Sequence, residues 1–153
     1  MKILITGNLG YIGSVLIEEL VSDGYYIRGF DAGFYADNKL YKTEDLDDQI
    51  IGDIRNISRK ELLDIDAVIH LAALSNDPLG EFDSGLTEEI NYKATVNFAK
   101  LAKEAGVKRF VYSSSQSMYG IADTSHELTE DEAGPYGVTA YAKTKWSAEV
   151  ELK

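Results

Sequence analysis

Two kinds of apolar pattern alternate along the chain. Residues 2–6 form a short apolar run closed by Gly7, and residues 11–20 place Ile12, Val15, Leu16 and Leu20 at helical spacing. This block predicts a strand, a tight turn and a helix. Residues 25–30, 68–71 and 110–112 are aromatic or β-branched runs that predict three further strands, and Ile50-Ile51, ended by Gly52, predicts a shorter one. Helical segments lie between them. Ser58-Arg59-Lys60-Glu61 has the spacing of a capping box, and residues 87–105 carry Ile90, Ala94, Phe98, Leu101 and Ala105 on one stripe that Gly106 stops. A last helix is predicted over 141–153, with Trp146 and Val150 on the side that meets a core or an interface.

Strands therefore alternate with helices, and the strands are mostly apolar on both faces. That combination predicts an α/β fold, a doubly wound parallel sheet covered by helices on both sides. Five strands are visible, whereas a doubly wound dinucleotide fold built from two halves has six or more. The last helix also runs to Lys153 without a Gly, Asn or Pro to stop it. The expectation is one folded unit over 1–153, truncated before the last strands of its fold.

Composition narrows the chemistry. With 44% hydrophobic and 27% charged residues the balance is globular, and a net charge of −11 excludes a basic nucleic-acid binder. The absence of cysteine excludes a disulfide framework, a thiolate metal site and a cysteine nucleophile, and it agrees with a reducing, cytoplasmic setting. No stretch approaches the roughly 18 apolar residues of a membrane span, so no membrane partner is expected. His70 lies in an apolar strand and His126 in a polar loop, so no ligand spacing exists and no metal is expected. The acidic runs 44–48 and 127–132 read as solvated loops.

Candidate chemistry begins at the first turn. Gly7, Gly10 and Gly13 recur at every third position between the first strand and the first helix. Glycine permits the tight turn and a close backbone approach to a pyrophosphate, while free N–H groups and the helix dipole attract the anion. The spacing is GxxGxxG rather than GxGxxG and by itself also suits a plain strand-to-helix turn; its place after the first strand favours the phosphate site. Asp31 follows the second strand 18 residues after Gly13, close to where an acid binds the adenine ribose hydroxyls. A carboxylate there would repel a 2′-phosphate, and no Arg or Lys follows within five residues, so NAD is favoured over NADP. Asp53 by itself is an ordinary turn aspartate.

Tyr141 and Lys145 stand four apart on the last helix and share a face, which brings an ammonium near a phenol and favours its ionised form. Such a phenol is a general acid or base. A second pair at this spacing, Tyr35 and Lys39, falls in a Gly/Asp/Asn loop. Ser113, Ser114 and Ser115 close the fifth strand at the carboxyl edge of the sheet, where ligands bind in such folds, although serines also cap ordinary strand ends.

Together these residues resemble the extended short-chain dehydrogenase/reductase family, in its NAD-dependent nucleotide-sugar epimerase and dehydratase branch, with a Rossmann-like fold. The resemblance rests on Thr6-Gly7-Asn8-Leu9-Gly10-Tyr11-Ile12-Gly13, Asp31, Gly52-Asp53-Ile54, His70-Leu71-Ala72-Ala73, Asn91, Ser113-Ser114-Ser115 with Met118-Tyr119-Gly120, and Tyr141-Ala142-Lys143-Thr144-Lys145. It implies that the turn 7–13, with Tyr11 and Ile12, holds the pyrophosphate of NAD, Asp31 the ribose, and Asp53 and Ile54 the adenine. It implies that Leu71, Ala72, Ala73 and Ser113 line the cofactor and that Asn91 supports the site. Ser115, Tyr141 and Lys145 would be catalytic, Tyr141 as acid/base, Lys145 on the nicotinamide ribose and Ser115 on the reacting oxygen. A nucleotide-sugar substrate and a homodimer are further implications.

Two features depart from the family. Its 4,6-dehydratases follow the Ser/Thr with an acidic pair, whereas Gln116 and Ser117 stand here and disfavour simple dehydration. Family members also continue into further strands and a C-terminal substrate domain. The expected function is an epimerase or related oxidoreductase. The alternatives are a ketone or aldehyde reductase of the same family and a non-catalytic NAD(P)-binding module, and a chain of 153 residues can itself be inactive.

Overall fold

The computed structural model describes residues 1–37, 45–121 and 125–153. Lys39 and Glu44, named above in the second Tyr/Lys pair and the first acidic run, lie outside the described residues. Five strands, β1 (Lys2–Thr6), β2 (Tyr26–Asp31), β3 (Gln49–Ile51), β4 (Ala67–His70) and β5 (Arg109–Tyr112), form one sheet in the order β3-β2-β1-β4-β5. Each neighbouring pair is parallel, with Ile3 opposite Ile27 and Leu4 opposite Val68. Strand order reverses between β1 and β4, which makes the carboxyl ends of those strands the switch point of a doubly wound sheet.

The expected α/β architecture is thus observed, and its physical cause lies in β1. Ile3, Leu4, Ile5 and Thr6 are all buried, so the strand is covered on both faces. Ile3 and Ile5 join Ile17, Ile27 and Ala67 in one apolar cluster, Ile17 coming from α1 (Tyr11–Ser22). β5 departs from the expectation: its residues alternate between exposed and half-buried, Val111 being 52% exposed, as suits a strand at the edge of the described sheet.

Two compact units are distinguished along the chain. The first comprises residues 1–72 and 97–113 and holds the whole sheet. The capping box Ser58/Glu61 forms there as read, but on a single 3₁₀ turn, Arg59–Leu62. The second unit comprises residues 73–96 and 114–153. It contains α2 (Asp77–Phe82), α3 (Ser84–Glu88), a π turn (Glu89–Ala94), a 3₁₀ turn (Gln116–Tyr119) and α5 (Ala140–Leu152); α4 (Thr95–Glu104) precedes β5. Here α2, α3, the π turn and the 116–119 turn all pack on α5. The second acidic run is more than a solvated loop, because Thr129 and Glu132 close a capping box and His126 lies 3.1 Å from Glu132.

Candidate functional site

In the first unit β1 delivers the chain to the glycine turn. Gly7 has φ +74°, and a Cβ on it would lie 2.7 Å from the Ala72 amide nitrogen; one on Gly13 would lie 2.4 Å from the Gly7 carbonyl oxygen. Both glycines are demanded by the chain's own packing. Gly10 differs. Its φ of −80° and ψ of −179° suit any residue, and a Cβ there would meet only the Gly7 oxygen, at 3.3 Å. A bare Gly10 therefore leaves backbone surface that a ligand can approach.

The amides of the turn divide in the same way. Gly7 N–H donates to the Phe30 carbonyl (2.9 Å), Leu9 N–H to Asp31 Oδ2 (3.0 Å) and Gly10 N–H to the Gly7 carbonyl (3.2 Å). Helix α1 has no side-chain cap and no acidic residue in its first turn. The amides of Tyr11, Ile12 and Gly13 are left for an anion, reinforced by the helix dipole. Tyr11 is 85% exposed, so solvent reaches this end of the helix. An uncapped first turn beside a bare Gly10 fits the pyrophosphate of a dinucleotide.

Asp31 ends β2 next to this turn. Besides Leu9 N–H it accepts Gly33 N–H on Oδ1 (2.8 Å), and each oxygen retains a lone pair for a hydroxyl. Asp53 is more heavily committed: it caps the 3₁₀ turn Ile54–Asn56, and the Arg55 guanidinium holds its carboxyl below the usual carboxylate range. Ile54 is buried in the core. Beyond β4, Leu71 N–H donates to the Thr6 carbonyl (3.0 Å) and Ala72 N–H to Thr6 Oγ1 (3.3 Å). Thr6 Oγ1 also shares a hydrogen bond with His70 Nδ1, 2.6 Å away. His70, 1% exposed and edge-on to Phe98, is a packed strand residue, as its apolar surroundings predict. Ser113 N–H extends the ladder to the His70 carbonyl (3.2 Å).

The second unit contains Ala73, Asn91, Ser115, Tyr141 and Lys145. Buried Asn91 sits in the π turn and holds the Leu74 backbone from both sides, accepting its N–H on Oδ1 (2.8 Å) and donating Nδ2 to its carbonyl (3.1 Å). It thereby fixes the segment that begins at Ala73. Ser115 Oγ accepts Ser117 N–H (3.2 Å) and caps the 116–119 turn, so its hydroxyl proton remains to donate. Lys145 is 4% exposed, with Nζ 5.9 Å from the centroid of the Tyr141 ring. Burial pushes its ammonium down to about 8.

Two pairings carry no local signal in the sequence. Buried Asn8, inside the glycine turn, donates Nδ2 to Gln49 Oε1 (2.7 Å), 41 residues away, and ties the turn to β3. Ser114 Oγ donates to Glu149 Oε2 (2.5 Å), and this bond is the largest cause of the lowered Glu149 carboxyl pKa. Each joins residues whose proximity only the fold creates. Among the described residues, no group of three or more His, Asp or Glu side chains could hold a metal ion, and no helix is long and apolar enough to cross a membrane.

Known proteins with this arrangement are numerous. The family model for the NAD dependent epimerase/dehydratase family matches residues 3–153. The UDP-glucose 4-epimerase of Lactobacillus helveticus is 34% identical over 155 residues, which cover 91% of this chain and 44% of that protein. The UDP-glucose 4-epimerase of Bacillus subtilis is 33% identical over 172 residues, covering 100% and 47%. The solved structure of MoeE5 in complex with UDP-glucuronic acid and NAD superposes with a TM-score of 0.85 at 32% identity, covering 99% of this chain and 48% of that one. The chain thus spans about half the length of the relatives it matches. The five parallel strands in this order, the glycine turn with Asp31 beside it and the match along residues 3–153 have one reading: the chain belongs to the NAD-dependent epimerase/dehydratase family, whose cofactor is NAD.

Proposed function

We propose that residues 1–153 are the dinucleotide-binding part of an NAD-dependent epimerase, or related oxidoreductase, acting on a nucleotide sugar. The observation that carries this reading is the buried Lys145 ammonium beside the Tyr141 ring, on the helix that packs against the turn capped by Ser115. The Lys145 ammonium is a positive charge held over the Tyr141 ring, on the side chain where negative charge develops when the hydroxyl gives up its proton. Tyr141 then takes the proton from a sugar hydroxyl and later returns it, Lys145 balances the charge that forms, and Ser115 donates its hydroxyl to the reacting oxygen. The amides of Tyr11, Ile12 and Gly13 hold the pyrophosphate, and Asp31 accepts the ribose hydroxyls and repels a 2′-phosphate. NAD, when bound, supplies the hydride acceptor. Gln116 and Ser117 offer no carboxylic acid for eliminating water, which favours epimerisation over dehydration.

The test uses a chain extended to the length of its relatives, supplied with UDP-glucose or UDP-glucuronic acid. Interconversion of the sugar without net NADH is expected, with Tyr141→Phe lowering kcat by about 10²–10⁴-fold. Undiminished turnover in Tyr141→Phe would remove the tyrosine from the reaction, and stoichiometric NADH would make the enzyme a dehydrogenase.

A further inference from the structure

The first turn of α5 carries Tyr141, and α2 grips that turn at three points within the second unit. Glu81 Oε1 accepts the N–H of Ala140, the first residue of α5. Asp77 Oδ1 accepts the hydroxyl of Thr139, the α5 N-cap, at 2.6 Å, while Thr139 Oγ1 itself accepts Ala142 N–H at 3.1 Å. Between the two acids lies Gly80, buried so close that a Cβ on it would stand 3.1 Å from Tyr141 Cβ and 3.3 Å from its amide nitrogen. Thr87 of α3 fixes α2 in turn, its hydroxyl shared between the carbonyls of Gly80 and Asp83, each at 2.8 Å.

We propose that α2 is a clasp for the catalytic helix, with Asp77, Gly80 and Glu81 as positioning residues that set where the Tyr141 phenol stands. The proposal rests on the acid/base role given to Tyr141 above. Its physical basis is that an uncapped helix end frays, whereas here every contact of the clasp converges within two residues of Tyr141. A general base must stay within hydrogen-bond reach of its proton, so a displacement of a few tenths of an ångström at Cβ is felt in kcat. Glycine at position 80 is informative because helix propensity opposes it. A residue kept for stability of α2 would be alanine; the missing Cβ is explained by the approach of Tyr141.

The experiment compares Gly80→Ala, Glu81→Ala and Glu81→Gln in the chain extended to the length of its relatives. Gly80→Ala is expected to lower kcat by about tenfold with KM unchanged in enzyme that stays folded at the assay temperature, because the added methyl meets Tyr141 at 3.1 Å and Tyr141 has to give way. Glu81→Ala is expected to lower kcat similarly, and Glu81→Gln, which keeps a carbonyl for the Ala140 N–H, to restore most of it. Wild-type kcat in Gly80→Ala and in Glu81→Ala overturns the clasp. If Gly80→Ala does not fold, the Glu81 pair decides alone by the same criterion. If the parent enzyme turns over no nucleotide sugar, the function proposed above has failed, and the clasp is then judged by amide exchange in the 153-residue chain. Faster exchange at Ala140 in Glu81→Ala, restored by Glu81→Gln, upholds its structural half; unchanged exchange overturns it.

Discussion

At the scale of single residues, Lys145 holds a buried charge at a cost in stability. Its ammonium is 4% exposed, and burial lowers its pKa from 10.5 to about 8. The unfolded chain therefore binds the Lys145 proton more tightly than the folded one. Below pH 8 the folded state bears the whole penalty, about 3 kcal/mol for a shift of this size, and the penalty fades as pH rises from 8 to 10.5. Lys145→Met is accordingly expected to stabilise the chain by about 1–3 kcal/mol at pH 7, with a smaller gain at pH 10, measured by denaturant unfolding at both. A gain equal at the two pH values would remove burial as the cause. The spacing of Tyr141 and Lys145 was legible in the sequence because it needs only a helix. Which face the helix buries was not: Ala142, Thr144, Lys145 and Ala148 are buried, Trp146 is half-buried and Val150, expected to meet a core or an interface, is 52% exposed. Apolar periodicity misses a face whose inward members are a lysine, a threonine and two alanines.

At the scale of elements, the predicted helix over 87–105 shows what a 3.6-residue period can and cannot reveal. The stripe of Ile90, Ala94, Phe98, Leu101 and Ala105 assumes an unbroken α-helix, whereas residues 89–94 form a π turn. Thr87, Asn91 and Thr95 lie buried with Ala94, Phe98 and Ala102, at spacings an α-helix also gives, while Ile90 is only half-buried; a count of apolar residues alone misses a face half of whose members are polar. Three polar residues on a buried face need partners, and Asn91 finds two in the Leu74 backbone. Asn91→Ala is expected to cost about 1–3 kcal/mol in denaturant unfolding, since it leaves a backbone N–H and carbonyl without their side-chain partners. Asn91→Asp, which keeps the acceptor but sets a buried carboxylate oxygen against the Leu74 carbonyl, should cost at least as much. A neutral Asn91→Ala would show that water replaces both bonds and that the amide does not hold the 73–76 segment.

At the scale of the whole molecule, alternation of short apolar runs with helical segments was enough to predict a parallel sheet, because a strand buried on both faces leaves a run of four or five apolar residues that no surface element shows. The order β3-β2-β1-β4-β5 was not in that pattern; it arises from crossover connections, which periodicity does not encode. The contacts assigned to the dinucleotide phosphates and ribose lie in the first unit, and those assigned to acid/base chemistry lie in the second. Binding and turnover can therefore be tested apart. Calorimetric titration of the 153-residue chain is expected to give saturable NAD binding and at least tenfold weaker NADP binding if, as proposed, the Asp31 carboxylate takes the ribose hydroxyls, since it would then repel a 2′-phosphate. Gly10→Val is expected to abolish NAD binding while moving the thermal midpoint by less than about 4 °C, the effect of about 1 kcal/mol in a chain of this size, since the one neighbour a Cβ at Gly10 meets is the Gly7 carbonyl oxygen, at 3.3 Å. The same substitution at Gly13 would drive a side chain into the Gly7 carbonyl and Asn8, so it should unfold the turn and report nothing about the ligand. Folded Gly10→Val that binds NAD as the parent does would place the pyrophosphate elsewhere, and equal affinity for NADP would take Asp31 out of the ribose site.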